Sequence, residues 1–384
     1  MAEVLVSAVI PCLNEERSVG ICVGKALQSF AALGVAGEVV VVDNGSTDRS
    51  AEVAAASGAR VEREAVKGYG AALRTGIERA RGRIIVMGDA DDSYDWAAIG
   101  PFVRKIQEGY DLVIGNRFQG GIQPGAMPPL HRYLGNPALS AITRLAFGVK
   151  VGDVHCGMRA FTREAFQRLD MDTPGMEFAT EMISNAAHQR LRIAEVPTRL
   201  YPDKRGRPPH LRTFRDGWRH LRFILTHAPD YLYLAPGAVL LAVGLATLLL
   251  LAHGPVLLGG VPLGIHVLAL GALLTLAGFN VINLGVLAKA VMARRHPGLD
   301  SRILRLLRGR YTLEWGLIAG ALLMLAGFAI DGTILASWLA QPGRPMESTV
   351  HLAFVASTLI VLGLNLLFSS FLVAMVLRPS GERR

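Results

Sequence analysis

Two regimes of hydrophobic patterning divide the chain. Up to about residue 230, charged residues recur every few positions between short apolar runs; beyond it come long runs almost free of charge. Val4–Ile10 is apolar with little alternation, as expected of a strand buried on both faces. The pattern then predicts a helix over Glu16–Leu33 closed by Gly34, a strand over Glu38–Val42, and a helix running to Ala56 capped by Ser46, Thr47 and Asp48. Further strands are predicted at Arg60–Glu64, Arg83–Met87 and Asp111–Ile114, with helices over Gly68–Ala80 and Trp96–Glu108. Such β-α-β-α succession builds an α/β domain with a mainly parallel sheet and helices on both faces. Ligands of such sheets gather at the C-terminal ends of the strands.

In the second regime, four segments (about 231–252, 263–292, 313–340 and 350–377) reach the roughly 20 apolar residues that a membrane-spanning helix needs. Leu241–Ala252 has no polar face, which favours spans over helices buried in a soluble core. The expected organisation is a soluble domain over 1–200, a basic loop and amphipathic interfacial helix over 201–230, and a four-span membrane domain over 231–384.

Charge refines this picture. The net charge is +9, and Arg294, Arg295, Arg302, Arg305, Arg308 and Arg310 cluster between the second and third spans against Asp300. The loop His253–Val261 carries no charged side chain. By the preference of Lys and Arg for the inner side, the 294–312 loop and both termini are expected to be cytoplasmic, in an integral protein of the inner (cytoplasmic) membrane. The basicity is thus a topology signal, and no nucleic-acid partner is expected. No secretory signal is expected either, because Val4–Pro11 is short and runs into Asn14-Glu15-Glu16. Cys12, Cys22 and Cys156 are an odd set without regular spacing, which fits reduced thiols.

Candidate chemistry sits at the strand ends. Pro11–Glu16 follow the first strand, Asp43–Asp48 the second, Lys67-Gly68 the third and Asp89-Ala90-Asp91 the fourth. Each alone reads as a turn; together at one sheet edge they describe a pocket. Paired carboxylates repel unless a cation neutralises them, and oxygen ligands suit Mg²⁺ or Mn²⁺ shared with substrate phosphates. Asp89 and Asp91 are therefore the metal candidates, whereas Asp92, Ser93 and Asp95 suit the start of the helix at Trp96. Lys67–Leu73 lacks the third small residue of a dinucleotide fingerprint, and no Walker A lysine is present.

Ala8-Val9-Ile10-Pro11 with Asn14-Glu15-Glu16, Val42–Asp48, Lys67-Gly68 and Asp89-Ala90-Asp91 resemble a family-2 glycosyltransferase of GT-A fold. Within that family, Gly157-Met158-Arg159-Ala160-Phe161 and the C-terminal spans are similar to the polyprenyl-phosphate hexose synthases. The resemblance implies that Pro11, Asn14, Glu15, Asp43 and Ser46 hold the base and ribose of a nucleotide-sugar donor. Lys67 and Ala90 would lie by the nucleotide, and Asp89 and Asp91 would hold the metal on the diphosphate. It further implies inverting transfer of a hexose to a polyprenyl phosphate, with UDP-glucose the first choice of donor and GDP-mannose the second. Ser93 departs from the Gln that many mannose synthases carry. A processive polysaccharide synthase is disfavoured, since a Gln-x-x-Arg-Trp motif and preceding spans are lacking in this sequence. A non-catalytic nucleotide-sugar module is disfavoured by the intact aspartate pair.

The acceptor side is expected at Arg117, Arg132 and Asn136, a region the resemblance assigns to the lipid phosphate and where arginine suits phosphate oxygens. Glu177 and Glu181 are candidates for contacts to sugar hydroxyls. In Tyr201–Thr226, seven basic residues accompany Leu211, Phe214, Trp218, Leu221 and Leu225 at helical spacing. That predicts an amphipathic helix in the headgroup layer of the membrane lipids. Lys204, Arg205 and Arg207 lie on a Gly/Pro-rich loop expected to fold over the diphosphate. Asn280 and Asn283, polar within a span, are expected to face other helices. A homo-oligomer is compatible with the sequence.

Overall fold

A computed structural model describes residues 4–204, 206, 213–295, 305, 312–340 and 347–377. The chain divides into two compact units, Met1–His227 and Ala228–Arg384.

The first unit is a seven-stranded sheet flanked by helices. Its strands are β1 (Val6–Cys12), β2 (Gly37–Asp43), β3 (Arg60–Arg63), β4 (Ile84–Met87), β5 (Leu112–Asn116), β6 (Arg159–Thr162) and β7 (Ile193–Pro197), arranged 3-2-1-4-6-5-7. Strands β1–β4 pair in parallel, as does β5 with β7. β6 is antiparallel to both neighbours, β4 and β5. The helices are α1 (Val19–Leu33), α2 (Ser50–Ala56), α3 (Tyr69–Arg79), α4 (Gly100–Gln107), α5 (Arg117–Gly120), α6 (Asn136–Phe147), α7 (Arg163–Leu169), α8 (Phe178–His188) and α9 (Thr213–His227). Val9, Ile10, Val40, Val41, Ile85 and Val86 are fully buried, which is why these strands read as continuous apolar runs.

Local chemistry sets the element boundaries. Gly34 adopts the left-handed conformation after α1 (φ 64°) and its N–H reaches Ala31 O at 3.1 Å, an αL cap. The expected cap of α2 by Ser46 and Thr47 is corrected: α2 starts at Ser50, and it is Asp48 Oδ1 that accepts the Ser50 N–H at 3.0 Å. The helix expected over Trp96–Glu108 is instead a 3-10 turn, Trp96–Ala98, followed by α4. Pro101 lacks the N–H that would continue a helix, so it sits in the first turn of a new one. Asp95 caps the 3-10 turn by accepting the Ala97 N–H at 3.2 Å.

The second unit contains helices long and apolar enough to cross a membrane: Asp230–Leu251, Ile265–Ala293, Thr312–Ala340 and Thr349–Leu377. They agree with the expected spans within two residues at each end. The first packs on the second, the second on the fourth, and the third on the fourth. Asn365 Nδ2 donates to Asn280 Oδ1 across the bundle at 3.3 Å, so Asn280 faces another helix as expected. Lys289 on the second span pairs with Asp230 at 2.5 Å, a contact the sequence reading did not anticipate. Most of the basic 294–312 loop lies outside the described residues.

Candidate active site

The parallel pairing of β1 through β4 puts the segments after their C-terminal ends at one edge of the sheet. A cavity of about 460 Å³ opens there, lined among others by Pro11, Glu15, Asn44, Lys67, Asp89, Ala90 and Asp91. Six residues singled out from separate strand ends, Pro11, Glu15, Lys67, Asp89, Ala90 and Asp91, thus meet around one space. Arg215, Asp216 and Arg219 of α9 complete the lining and were not assigned to it from sequence.

Asn14, Asp43 and Ser46 do not line the cavity; they build the turns that shape its floor. Asn14 takes a left-handed conformation (φ 57°), and its N–H donates to Ser46 Oγ at 2.9 Å. Asn14 Oδ1 accepts the Thr47 N–H at 2.7 Å, and Asp43 Oδ1 accepts the Ser46 N–H at 3.0 Å. The segments following β1 and β2 are thereby locked together. Asn44 does the same for the segment carrying Lys67: its Nδ2 donates to Glu64 O and Val66 O, and its Oδ1 accepts the Gly68 N–H at 2.7 Å. Gly68 has φ 150°, and a Cβ there would stand 2.1 Å from Pro174 O, so no other residue fits.

The aspartate pair is held from several sides. Tyr69 donates its O–H to Asp89 Oδ1 at 2.9 Å, and the Trp96 indole N–H binds Asp89 O at 3.0 Å. Asp91, 4% exposed, accepts the Ser93 N–H on Oδ1 at 3.0 Å. β6 enters the sheet beside β4, bringing Gly157 against Asp89, where a Cβ would approach Oδ2 to 2.9 Å. Asp92 does not cap a helix as expected; its buried carboxylate pairs with Lys25 at 2.7 Å and Lys204 at 2.6 Å. Among the described residues no third Asp, Glu, His or Cys joins the pair in a metal-ligand cluster. Two carboxylates opening on a cavity with cationic walls are a donor set for Mg²⁺ or Mn²⁺, which take their remaining ligands from phosphate and water.

The acceptor candidates diverge. Arg117, just past the end of β5, is expected from sequence to meet the lipid phosphate. It is 7% exposed, and its Nε and Nη2 donate to Asp153 Oδ2 and Oδ1, each at 2.7 Å. Burial works against its charge, but Tyr94 and Asp153 hold its pKa well above the ordinary arginine value. This bidentate pair corrects the picture of a freely reaching phosphate ligand. Arg132 lies on a half-exposed π-helical turn, His131–Gly135, with its guanidinium 5.4 Å from the Tyr133 ring centroid. Asn136 opens α6, and its Nδ2 reaches Met127 Sδ at 3.5 Å. Tyr133, Leu134 and Leu145 on the same segment are exposed, as are Phe214 and Trp218 on α9, which packs against α6. The buried face of α9 is instead Asp216, His220, Phe223 and Ile224. Arg205 and Arg207 lie outside the described residues.

Of the two glutamates, Glu181 is committed elsewhere. It is 5% exposed and accepts the backbone N–H groups of Asp172 and Thr173 at 2.9 and 3.0 Å, so its expected sugar contact is corrected to a loop clamp. Glu177 keeps an enclosed Oε2 with no hydrogen-bond partner, beside the cavity-lining Gly175. Behind α8, His220 Nδ1 bonds Thr180 Oγ1 at 2.8 Å and its ring meets His155 edge-on at 4.6 Å.

An open α/β sheet with paired aspartates at its switch edge, joined to a helical membrane region, defines a membrane-bound transferase. Residues 7–170 match the glycosyl transferase family 2 model, and residues 286–377 match the family's C-terminal transmembrane region. The low-salt glycan biosynthesis hexosyltransferase Agl6 of Haloferax volcanii is 39% identical over 368 residues, covering 96% of this chain and 88% of the relative. The chain belongs to glycosyltransferase family 2, has its GT-A fold, and is an integral membrane protein. A dolichyl-phosphate hexose transferase of the same organism is 36% identical over 160 residues, 42% of this chain and 68% of that one. Among solved structures, glucosyl-3-phosphoglycerate synthase from Mycobacterium tuberculosis in complex with Mn²⁺, UDP and glucosyl-3-phosphoglycerate aligns at 24% identity and TM-score 0.44. That alignment covers 59% of this chain and 79% of the synthase.

Proposed function

We propose that the protein transfers a hexose from a nucleotide-sugar, UDP-glucose first among donors, to a polyprenyl phosphate with inversion at C1. The observation that carries this reading is the convergence of Asp89 and Asp91 with Lys67, Arg215 and Arg219 on one cavity. Carboxylates facing cations across such a space suit a diphosphate bridged by a divalent ion. Asp89 and Asp91 would hold Mg²⁺ or Mn²⁺, which when bound neutralises charge on the departing nucleoside diphosphate. Lys67, Arg215 and Arg219 add fixed positive charge to the cavity wall where that diphosphate accumulates negative charge. Pro11 and Glu15, above the floor set by Asn14, Asp43 and Ser46, take the base and ribose.

The nucleophile needs no base, because a lipid phosphate is already an anion at neutral pH. Its oxygen forms the new bond to C1 as the bond from C1 to the diphosphate breaks, so an α-linked donor yields a β-linked lipid phosphosugar. Arg132 and Asn136 receive the acceptor phosphate, on a segment that also exposes Leu130, Tyr133, Leu134 and Leu145. Arg117 orders the end of β5 beside them through Asp153. Glu177, with its unpartnered Oε2, accepts from a sugar hydroxyl. Catalytic domain and termini are cytoplasmic in this reading, from the arginine-rich 294–312 loop. The dolichyl-phosphate hexose transferase among the relatives supports a polyprenyl acceptor.

A donor screen with the purified chain and undecaprenyl phosphate tests the proposal. Radiolabel passing from UDP-glucose into a butanol-extractable lipid is expected. Labelling from GDP-mannose alone replaces the donor, and no lipid labelling from any nucleotide-sugar overturns the acceptor.

A further inference from the structure

Beside the aspartate pair lies a charged arrangement that the transfer reaction does not use directly. Asp92 follows Asp91 in sequence but faces elsewhere. It holds a left-handed backbone (φ 60°), unusual for a residue with a side chain. That reversal separates the neighbours: Asp91 lines the cavity, while the Asp92 carboxylate, 1% exposed, points between two lysines. Lys25 comes from α1 and pairs at 2.7 Å. Lys204 pairs at 2.6 Å, and its backbone N–H also donates to Asp91 O at 3.0 Å. Tyr201 N–H donates to Ser93 O at 2.9 Å, so the 201–204 segment is stitched along 91–93.

We propose that Asp92 is a positioning residue, and that its buried bridge to Lys25 and Lys204 fixes the Asp91 carboxylate for a divalent cation. The inference rests on the reading of Asp89 and Asp91 as the cation-holding pair and adds what orients them. A buried carboxylate next to Asp91 would repel the very charge that Asp91 must keep, and an unpaired buried charge is costly. Two lysines cancel it locally. They also use it as a post: α1 on one side and the 201–204 segment on the other grip the peptide that carries Asp91. The αL turn persists because this bridge over-determines it.

The test uses the full-length chain in detergent with Mn²⁺ and UDP as probe, free Mn²⁺ being read by electron paramagnetic resonance. Lys204→Met keeps the length of a largely exposed side chain and removes its charge; Asp92→Asn removes the other partner. Each is expected to weaken UDP-dependent Mn²⁺ uptake roughly tenfold, as loss of a ligand-orienting partner does elsewhere. The double variant should be no weaker than Asp92→Asn alone, because both act through one bridge. Lys204→Arg should restore most of the affinity. If Asp92→Asn fails to fold, Lys204→Met decides. Mn²⁺ affinity in Lys204→Met within about twofold of the unsubstituted chain overturns the proposal, whatever happens to thermal stability. Absence of Mn²⁺ uptake by the unsubstituted chain itself overturns the parent reading of Asp89 and Asp91, and is thereby told apart from failure of the bridge.

Discussion

Tyr69 and Asp89 are joined by a 2.9 Å hydrogen bond in which the phenol donates to the carboxylate, tying the first residue of α3 to the end of β4. Burial and the adjoining Asp89 charge push the Tyr69 pKa well above its ordinary value, so the phenol keeps its proton at working pH. A hydrogen bond to a charged acceptor is worth about 1.5–3 kcal/mol. Tyr69→Phe is therefore expected to release one oxygen of Asp89 and lower turnover by roughly tenfold or more. Initial rates across a Mn²⁺ titration check this; unchanged rates and half-saturation would make the bond merely structural.

Asp91→Ala is expected to remove transfer while the protein still folds and inserts. Its side chain packs at the cavity wall rather than in the sheet core, and losing a charge-stabilising group costs several kcal/mol of transition-state energy. Near-normal turnover with Mg²⁺ in this variant would refute the metal assignment.

How much of this was legible beforehand depended on the range of the interactions. The apolar runs of β1, β2 and β4 announced themselves because parallel strands buried on both faces have no polar alternation to disguise them. The aspartate pair was legible for a related reason: each strand end in such a sheet faces the same edge, so short local motifs add up. β6 (Arg159–Thr162) escaped notice because its antiparallel insertion between β4 and β5 is a property of the whole sheet, and nothing in the segment itself announces those partners. The pairing of Arg117 with Asp153 links positions far apart in sequence, and nothing near either announces the other. Arg215 and Arg219 were seen, but as part of a basic helix facing lipid. One α-helical flank can serve a cavity while Phe214 and Trp218, 85% and 58% exposed, serve another surface.

The Arg117–Asp153 pair separates two ideas about Arg117. A free phosphate ligand would show selective loss of acceptor use on truncation, with stability intact. The observed burial predicts otherwise: Arg117→Ala leaves the Asp153 carboxylate, 0% exposed, without its main cation. Breaking a buried pair in this way costs about 3–5 kcal/mol. Thermal unfolding of the first unit within the full chain should fall by several degrees, and Asp153→Asn should do the same. An unfolding temperature equal to that of the unsubstituted protein, with acceptor KM alone raised, would restore the phosphate role.

Glu181→Gln should loosen the loop before α8. The carboxylate takes two backbone N–H groups and the Thr173 hydroxyl, and an amide leaves one of these donors facing another donor. Leaving a buried group unsatisfied costs about 1–3 kcal/mol. Because Gly175 and Met176 of this loop line the cavity, donor KM should rise along with the loss of stability. Donor titration and thermal unfolding on the same sample check both, and a stability loss without a KM change would detach the loop from the site.

His220 gives the protein a defined weakness to acid. Burial, opposed in part by Asp216, lowers its pKa to about 4, while the same ring in the unfolded chain titrates near the ordinary histidine value of about 6.5. Between these values the unfolded chain binds a proton that the native one refuses, so stability rises with pH across that window. The contribution is complete above the unfolded pKa and is lost progressively as pH falls from there toward the folded value, amounting to about 3 kcal/mol. The enclosed His155 ring, lowered well below its ordinary value by burial and by His220, slopes in the same direction. Replacing His220 with Asn keeps a polar group opposite Thr180 and removes one titrating site. The unfolding temperature of His220→Asn, measured in steps from neutral pH down to about 4, should therefore decline less steeply than that of the unsubstituted chain. Parallel declines would show that His220 titrates alike in the folded and unfolded chain, with Asp216 offsetting its burial, and a steeper decline in His220→Asn would show that Asp216 outweighs that burial.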